Sequence, residues 1–167
     1  MKTQFSVTYP ASLSDVQNML SDKTYLLSRL PAEAHHQADV TVERTAAGWT
    51  STLTVDAPKE SMPAVAARFI KGIVTVTITE QWNVTDDSHA HGTVTVDVKG
   101  APVKGSAQTT LTSAGKQTTA VADVDFSVNL PLVGKTVEKA VLSKIDSVTA
   151  YEERLAAQYL KSKSSIM

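Results

Sequence analysis

The chain contains no cysteine. That excludes disulfides, thiol chemistry and cysteine-ligated zinc together, and it fits a reducing compartment. An excess of charge of one sign is also missing. Sixteen basic and seventeen acidic residues are interspersed and leave a net charge of −1, so no footprint for nucleic acid or anionic lipid stands out. No apolar run reaches membrane-spanning length, and the segment from Met1 to Tyr9 has no apolar signal core. These absences predict a cytoplasmic protein of one domain, residues 1–167, with 1–4 and 163–167 as frayed ends and no stable membrane insertion. Catalytic signatures are lacking too. There is no nucleophile elbow, and no spacing singles out a Ser/His/Asp set. Asn129–Thr136 sits between a strand and a helix, as a phosphate-binding loop would. Asn129 replaces that motif's first glycine, however, and Pro131 with bulky apolar residues fills the rest, so the segment reads as a helix start. The pairs His35–His36 and His89/His91 lack a nearby carboxylate or thiol and fall short of a metal site. No metal and no cofactor is expected.

What the chain does have is period-two patterning followed by one long amphipathic segment. Phe5, Val7 and Tyr9 form a short strand ended by Pro10. Ser12 with Asp15, and then Asp22, cap two short helices burying Leu13, Val16 and Leu20, then Tyr25, Leu26 and Leu30. Alternation resumes with Val40, Val42 and Arg44, and returns through Trp49, Ser51, Leu53 and Val55, with Arg44 opposite Trp49. Ser61 caps a helical piece over 62–70, edged by Met62, Val65 and Phe69, which serves as packing or as a lid. Four more strands follow, with inward residues from Val74 to Trp82, Ala90 to Val98, Val103 to Leu111 and Ala120 to Leu130. Threonines crowd their other face, so one face is buried and one is wet. The hairpin registers set Trp82 opposite Gly92 and Phe126 opposite Gly105, leaving room for a helix or a ligand over the middle strands. From Pro131 to Ser162, the residues Val133, Val137, Val141, Ile145, Val148, Leu155 and Tyr159 recur at helical spacing. About 28 residues at 1.5 Å each predict a rod of roughly 40 Å.

Three charged residues interrupt apolar alternations. Glu80 lies between Ile78 and Trp82, Arg44 ends an inward face beside Trp49, and Glu152 falls between Val148 and Leu155. An inward carboxylate is costly unless paired. Glu80 and Arg44 are expected to approach each other, as a structural ion pair or as a polar anchor for a ligand's head group. Acid–base chemistry and strand-end residues reaching solvent are the other readings.

The order of strand, two helices, six strands and a long helix resembles the helix-grip superfamily of START-related, Bet v 1-like and polyketide-cyclase-like domains. The stretches Thr79–Trp82, His91–Val96 and above all Leu130–Lys139 are similar to a bacterial family of uncharacterised helix-grip proteins. The resemblance implies an α+β fold, in which a curved seven-stranded antiparallel sheet grips a long C-terminal helix on its concave face. It also implies a cavity between the two for a hydrophobic or amphipathic small molecule, lipid-like or polyketide-like. The expected ligand-binding residues are Arg44, Trp49, Leu53, Met62, Phe69, Ile78, Glu80, Trp82, Val94, Phe126, Val148 and Glu152. Two rival readings are a cyclase- or aromatase-like enzyme using Glu80 or Glu152, and a protein-interaction module with a filled core. No protein partner is indicated.

Overall fold

From residue 38 to residue 128 apolar and polar residues alternate over long stretches, so consecutive strands there pair with one another. The structure, a computed structural model, describes residues 1–166, with side chains through Ser164. The elements are β1 (Lys2–Tyr9), α1 (Leu13–Leu20), α2 (Lys23–Ser28), β2 (Ala38–Arg44), β3 (Gly48–Ala57), α3 (Ala64–Ala67), β4 (Val74–Asp86), β5 (His89–Lys99), β6 (Val103–Ala114), β7 (Gln117–Val128), α4 (Gly134–Leu142) and α5 (Ile145–Ile166). All seven strands form one antiparallel sheet in the order β1-β7-β6-β5-β4-β3-β2. The hairpins close in the expected registers, Arg44 opposite Trp49, Trp82 opposite Gly92 and Gly105 opposite Phe126. Lys2–Gln4, expected as a frayed end, pair with Asp125–Asp123. At the other end α5 continues to Ile166, and Met167 lies outside the described residues.

Caps fix the first two helices. The Ser12 hydroxyl accepts from the Asp15 amide at 3.3 Å, and the Asp22 carboxylate accepts from the Thr24 amide at 2.8 Å. Leu13, Val16, Met19 and Leu20 of α1 are buried with Val7, Tyr9, Trp49, Trp82 and Leu111 in the principal core. A second cluster joins Leu26 to Val40 and Leu53. A third joins Ala66 of α3 to Val128 and Val137. α3 starts after Pro63, whose fixed φ suits a helix entrance. Ser61, the expected cap, instead donates its hydroxyl to the Pro58 carbonyl.

The C-terminal helix is present but in two pieces, where the periodicity predicts one rod. Ser143 and Lys144 interrupt it, with the Ser143 hydroxyl donating back to the Ala140 carbonyl at 2.7 Å. α4 packs against the end of β7, and α5 packs against β1 and α1. Val137 is buried in the third cluster, and Leu155, Ala156 and Tyr159 pack on the first. Val148, expected against the sheet, is 58% exposed. The two halves of the helix are anchored at opposite ends of the sheet. Between them the inner face of the middle strands stays partly uncovered.

Candidate functional site

A cavity of about 290 Å³ occupies that uncovered region. Its walls come from inward residues of β1 and β4–β7, among them Phe5, Val7, Val94, Leu111 and Ala122. Val148, Thr149 and Tyr151 of α5 form its rim. Val148 and Tyr151 are exposed, so the rim is open to water. The wall is mostly apolar, with one polar constellation set into it.

That constellation is centred on Arg29, the C-cap residue that follows α2. Its Nη1 donates to Glu80 Oε1 at 2.6 Å; its Nη2 and Nε donate to Glu152 Oε1 and Oε2 at 2.8 and 3.2 Å. Glu80 comes from β4, at the position opposite Ser51, and its Oε2 accepts from Trp82 Nε1 at 3.1 Å. Glu152 Oε1 also accepts the phenol hydroxyls of Tyr25 at 2.8 Å and Tyr9 at 3.2 Å. The Arg29 guanidinium lies 5.3 Å from the centre of the Tyr25 ring, close enough for a cation–π contact. Strand β4 and helix α5 thus each bring a carboxylate to one guanidinium, which forks between the two as its geometry allows, and Tyr9 of β1 joins through Glu152.

The electrostatics follow from burial and charge together. Burial opposes the Glu152 carboxylate, but the Arg29 charge, with hydrogen bonds from Arg29, Tyr25 and Tyr9, holds its pKa below the ordinary glutamate value. Burial opposes the Arg29 charge as well, yet Glu80 and Glu152 raise its pKa. Burial and the Glu152 charge push both Tyr9 and Tyr25 well above the usual phenol value, so each remains a neutral donor. The site is therefore a fixed hydrogen-bonding wall beside an apolar hollow.

The expected residues sort into three groups, with Arg44 apart. Glu80, Trp82, Val94, Val148 and Glu152 surround the cavity. Trp49, Leu53, Ile78 and Phe126 are packed into the clusters around it instead. Trp49 stacks on Trp82 at 5.5 Å between ring centres, Leu53 and Ile78 join Leu26, and Phe126 joins Val128. Phe69 stands 48% exposed and, like the half-buried Met62, belongs to the β3–β4 connection, away from the cavity wall. Arg44 does not meet Glu80. On β2 the residue in line with Ser51 and Glu80 is Val42; Arg44 lies two positions further along and donates to the Ser21 hydroxyl at 2.6 Å. Arg29, Tyr9 and Tyr25 complete the constellation, and only the Tyr25–Arg29 spacing of one helical turn hinted at it. His89 has a carboxylate neighbour after all, since its ring contacts Asp86 at 2.9 Å beside the β4–β5 turn.

A seven-stranded antiparallel sheet holding a long C-terminal helix defines the START/Bet v 1-like helix-grip class. A family model described as "Protein of unknown function (DUF2505)" matches residues 4–160, and the chain belongs to that family. No curated protein matches the chain in sequence. Among solved structures, a protein from Thermus thermophilus is similar with a TM-score of 0.62 and 13% identity, over 98% of this chain and 99% of that one. A START superfamily protein from Mycobacterium smegmatis has a TM-score of 0.57 and 15% identity, over 95% and 98% of the two chains. A truncated norcoclaurine synthase from Thalictrum flavum has a TM-score of 0.54 and 13% identity, over 96% and 93%. At such identities the likeness is one of fold alone. No helix among the described residues is long and apolar enough to cross a membrane.

Proposed function

We propose that this protein binds a small hydrophobic or amphipathic molecule between its sheet and its C-terminal helix, with the Arg29–Glu80–Glu152 constellation orienting the molecule's polar end. The observation that carries this reading is a partly buried, hydrogen-bonded ion triad in the wall of an apolar cavity open to solvent. Apolar walls supply affinity, at about 25 cal/mol per Å² removed from water, and a few fixed polar groups supply orientation. At about 290 Å³ the cavity favours a single ring system or a short chain over a sterol-sized occupant.

Acid–base catalysis draws less support. A general acid at neutral pH needs a raised carboxyl pKa, whereas Arg29 and its neighbours lower that of Glu152. A filled-core interaction module draws less support too, because the hollow beside Trp82 is not filled by side chains. Native mass spectrometry of purified protein, followed by extraction of the bound material, tests the proposal. A copurifying small molecule whose rebinding changes Trp82 fluorescence is the expected result. Failure of fatty acids, aromatic polyketides and copurified extracts alike to bind above background overturns it.

A further inference from the structure

The overall charge balance conceals a polarised molecule. Three connections gather where β4 and β6 begin and β5 and β7 end. They are residues 57–73, 99–104 and 129–144. The Asn129 amide donates to the Pro102 carbonyl at 2.9 Å, a Cβ on Gly100 would lie 2.9 Å from the Ile73 carbonyl oxygen, and Ala66 packs with Val137. These segments carry eight basic residues, including Lys71, Lys99 and Lys135, against Glu60 and Glu138, a charge of +6. The rest of the chain then has eight basic and fifteen acidic residues, a charge of −7. Glu138 is buried and accepts the Val128 amide at 3.0 Å and the ammonium of Lys135, itself largely exposed, at 3.3 Å. Of the strand aspartates bordering this end, Asp56 accepts the Thr75 hydroxyl and Asp97 stands opposite Lys104.

The same connections expose three large apolar side chains: Phe69 at 48%, Ile73 at 69% and Leu132 at 103%. Leu132 is also the only non-glycine residue with positive φ among the described residues, at 70°. That backbone strain for a leucine brings no burial in return. Separate apolar tips on separate loops do not make the continuous face of about 800 Å² per partner that a stable protein interface needs. They suit a soft, penetrable surface, and the basic residues around them suit a negative one.

We infer that this end of the molecule docks reversibly on an anionic bilayer surface. Leu132, Phe69 and Ile73 enter the interfacial layer, and the lysines around them face the headgroups. No spanning helix is involved, and the inference does not depend on what the cavity holds.

Cosedimentation with vesicles tests it, using phosphatidylcholine alone and phosphatidylcholine with about 30 mol% phosphatidylserine. The expected result is at least about tenfold stronger partition onto the anionic vesicles, falling several-fold when salt is raised from about 0.1 to 0.5 M. Phe69→Ser/Ile73→Ser/Leu132→Ser should lower partition about tenfold or more with the melting temperature kept, since all three side chains are exposed. Lys71→Glu/Lys99→Glu/Lys135→Glu should abolish the preference for anionic vesicles. Leu132→Gly separates docking from folding, because relief of the left-handed strain should keep or raise the melting temperature while partition falls. Wild-type partition no stronger than onto phosphatidylcholine alone overturns the inference. So does an apolar triple variant that sediments like wild type, or self-association in velocity sedimentation that the triple variant removes.

Discussion

At the scale of single residues the molecule turns on Arg29. Removing it strands two carboxylates in a largely desolvated wall, and breaking such a network typically costs about 3–5 kcal/mol. Arg29→Met should therefore lower the melting temperature by on the order of 10 °C in a chain of this size, read by thermal denaturation. Arg29→Met with Glu80→Leu and Glu152→Leu should recover most of that loss, because the desolvation penalty goes with the charges. A triple variant no more stable than the single one would mean that the network stabilises the fold in its own right. Gly92 is the second sensitive position. A Cβ there would sit 2.5 Å from the Trp82 ring, so Gly92→Ala must displace an indole packed between Trp49 and the cavity. We expect a loss of about 1–3 kcal/mol in chemical denaturation, with Trp fluorescence changed in the native baseline. The importance of Gly92 was legible in the sequence, because strand alternation and turn spacing alone set it opposite Trp82. The importance of Arg29 was not. It follows a six-residue helix as its C-cap, and where such a side chain reaches depends on the packing angle of the helix on the sheet. Glu80 was legible as an inward charge that needs a partner, but Arg44 is not that partner. The two are offset along the strands by two residues, and the true partner arrives from above the sheet.

At the scale of elements, the strands and their pairing were legible almost throughout. Each hairpin joins consecutive segments of clear inward–outward alternation, so a slip by one residue would expose a whole face. The C-terminal helix was legible as a helix, yet its interruption was not. Val141 and Ile145 are four residues apart, so the apolar period runs unbroken through Ser143 and Lys144 although the backbone pauses there. That interruption changes what the stripe does. Val137 is 3% exposed in the cluster with Ala66 and Val128, whereas Val148 stands at the cavity rim. Val137→Asp should cost several kcal/mol, as an unpaired buried charge does. Val148→Asp should alter the melting temperature by no more than a few degrees while weakening binding of apolar probes to the cavity. Equal destabilisation by the two variants would show that α5 closes down on the sheet in solution. The expected pocket reaches too far toward β2 and β3 for the same reason. Hairpin registers tell which residues share a face, but not which part of that face the helix leaves open.

At the scale of the whole molecule, buried titratable groups set the pH range over which the fold is secure. Glu152 has a lowered pKa in the folded chain. Its contribution is complete above the unfolded glutamate value of about 4.3 and is lost as pH falls through the folded one. Tyr9 and Tyr25 have raised pKa values. The contribution of each is complete below the unfolded phenol value of about 10 and drains away as pH rises beyond it. Melting temperature followed from about pH 3 to 11 should fall on both flanks. Glu152→Gln should soften the acid flank and Tyr25→Phe the alkaline one; flanks unchanged by both variants would place the responsible groups elsewhere. A different consequence follows from the sheet order. The first strand pairs only with the last, Lys2 opposite Asp125, and β1 and β2 form the two outer edges. As the chain leaves the ribosome, β1 has no partner until more than a hundred further residues have emerged. The five pairings from β2 to β7 can meanwhile zip in sequence, four by short turns and one, β3 to β4, across residues 58–73. Newborn chains should thus pass through a stage in which the first nine residues and their two helices wait over an incomplete sheet, with a hydrophobic edge exposed. The docking of β1 onto β7, late and long-range, is the step at which a cell's chaperones have most to protect.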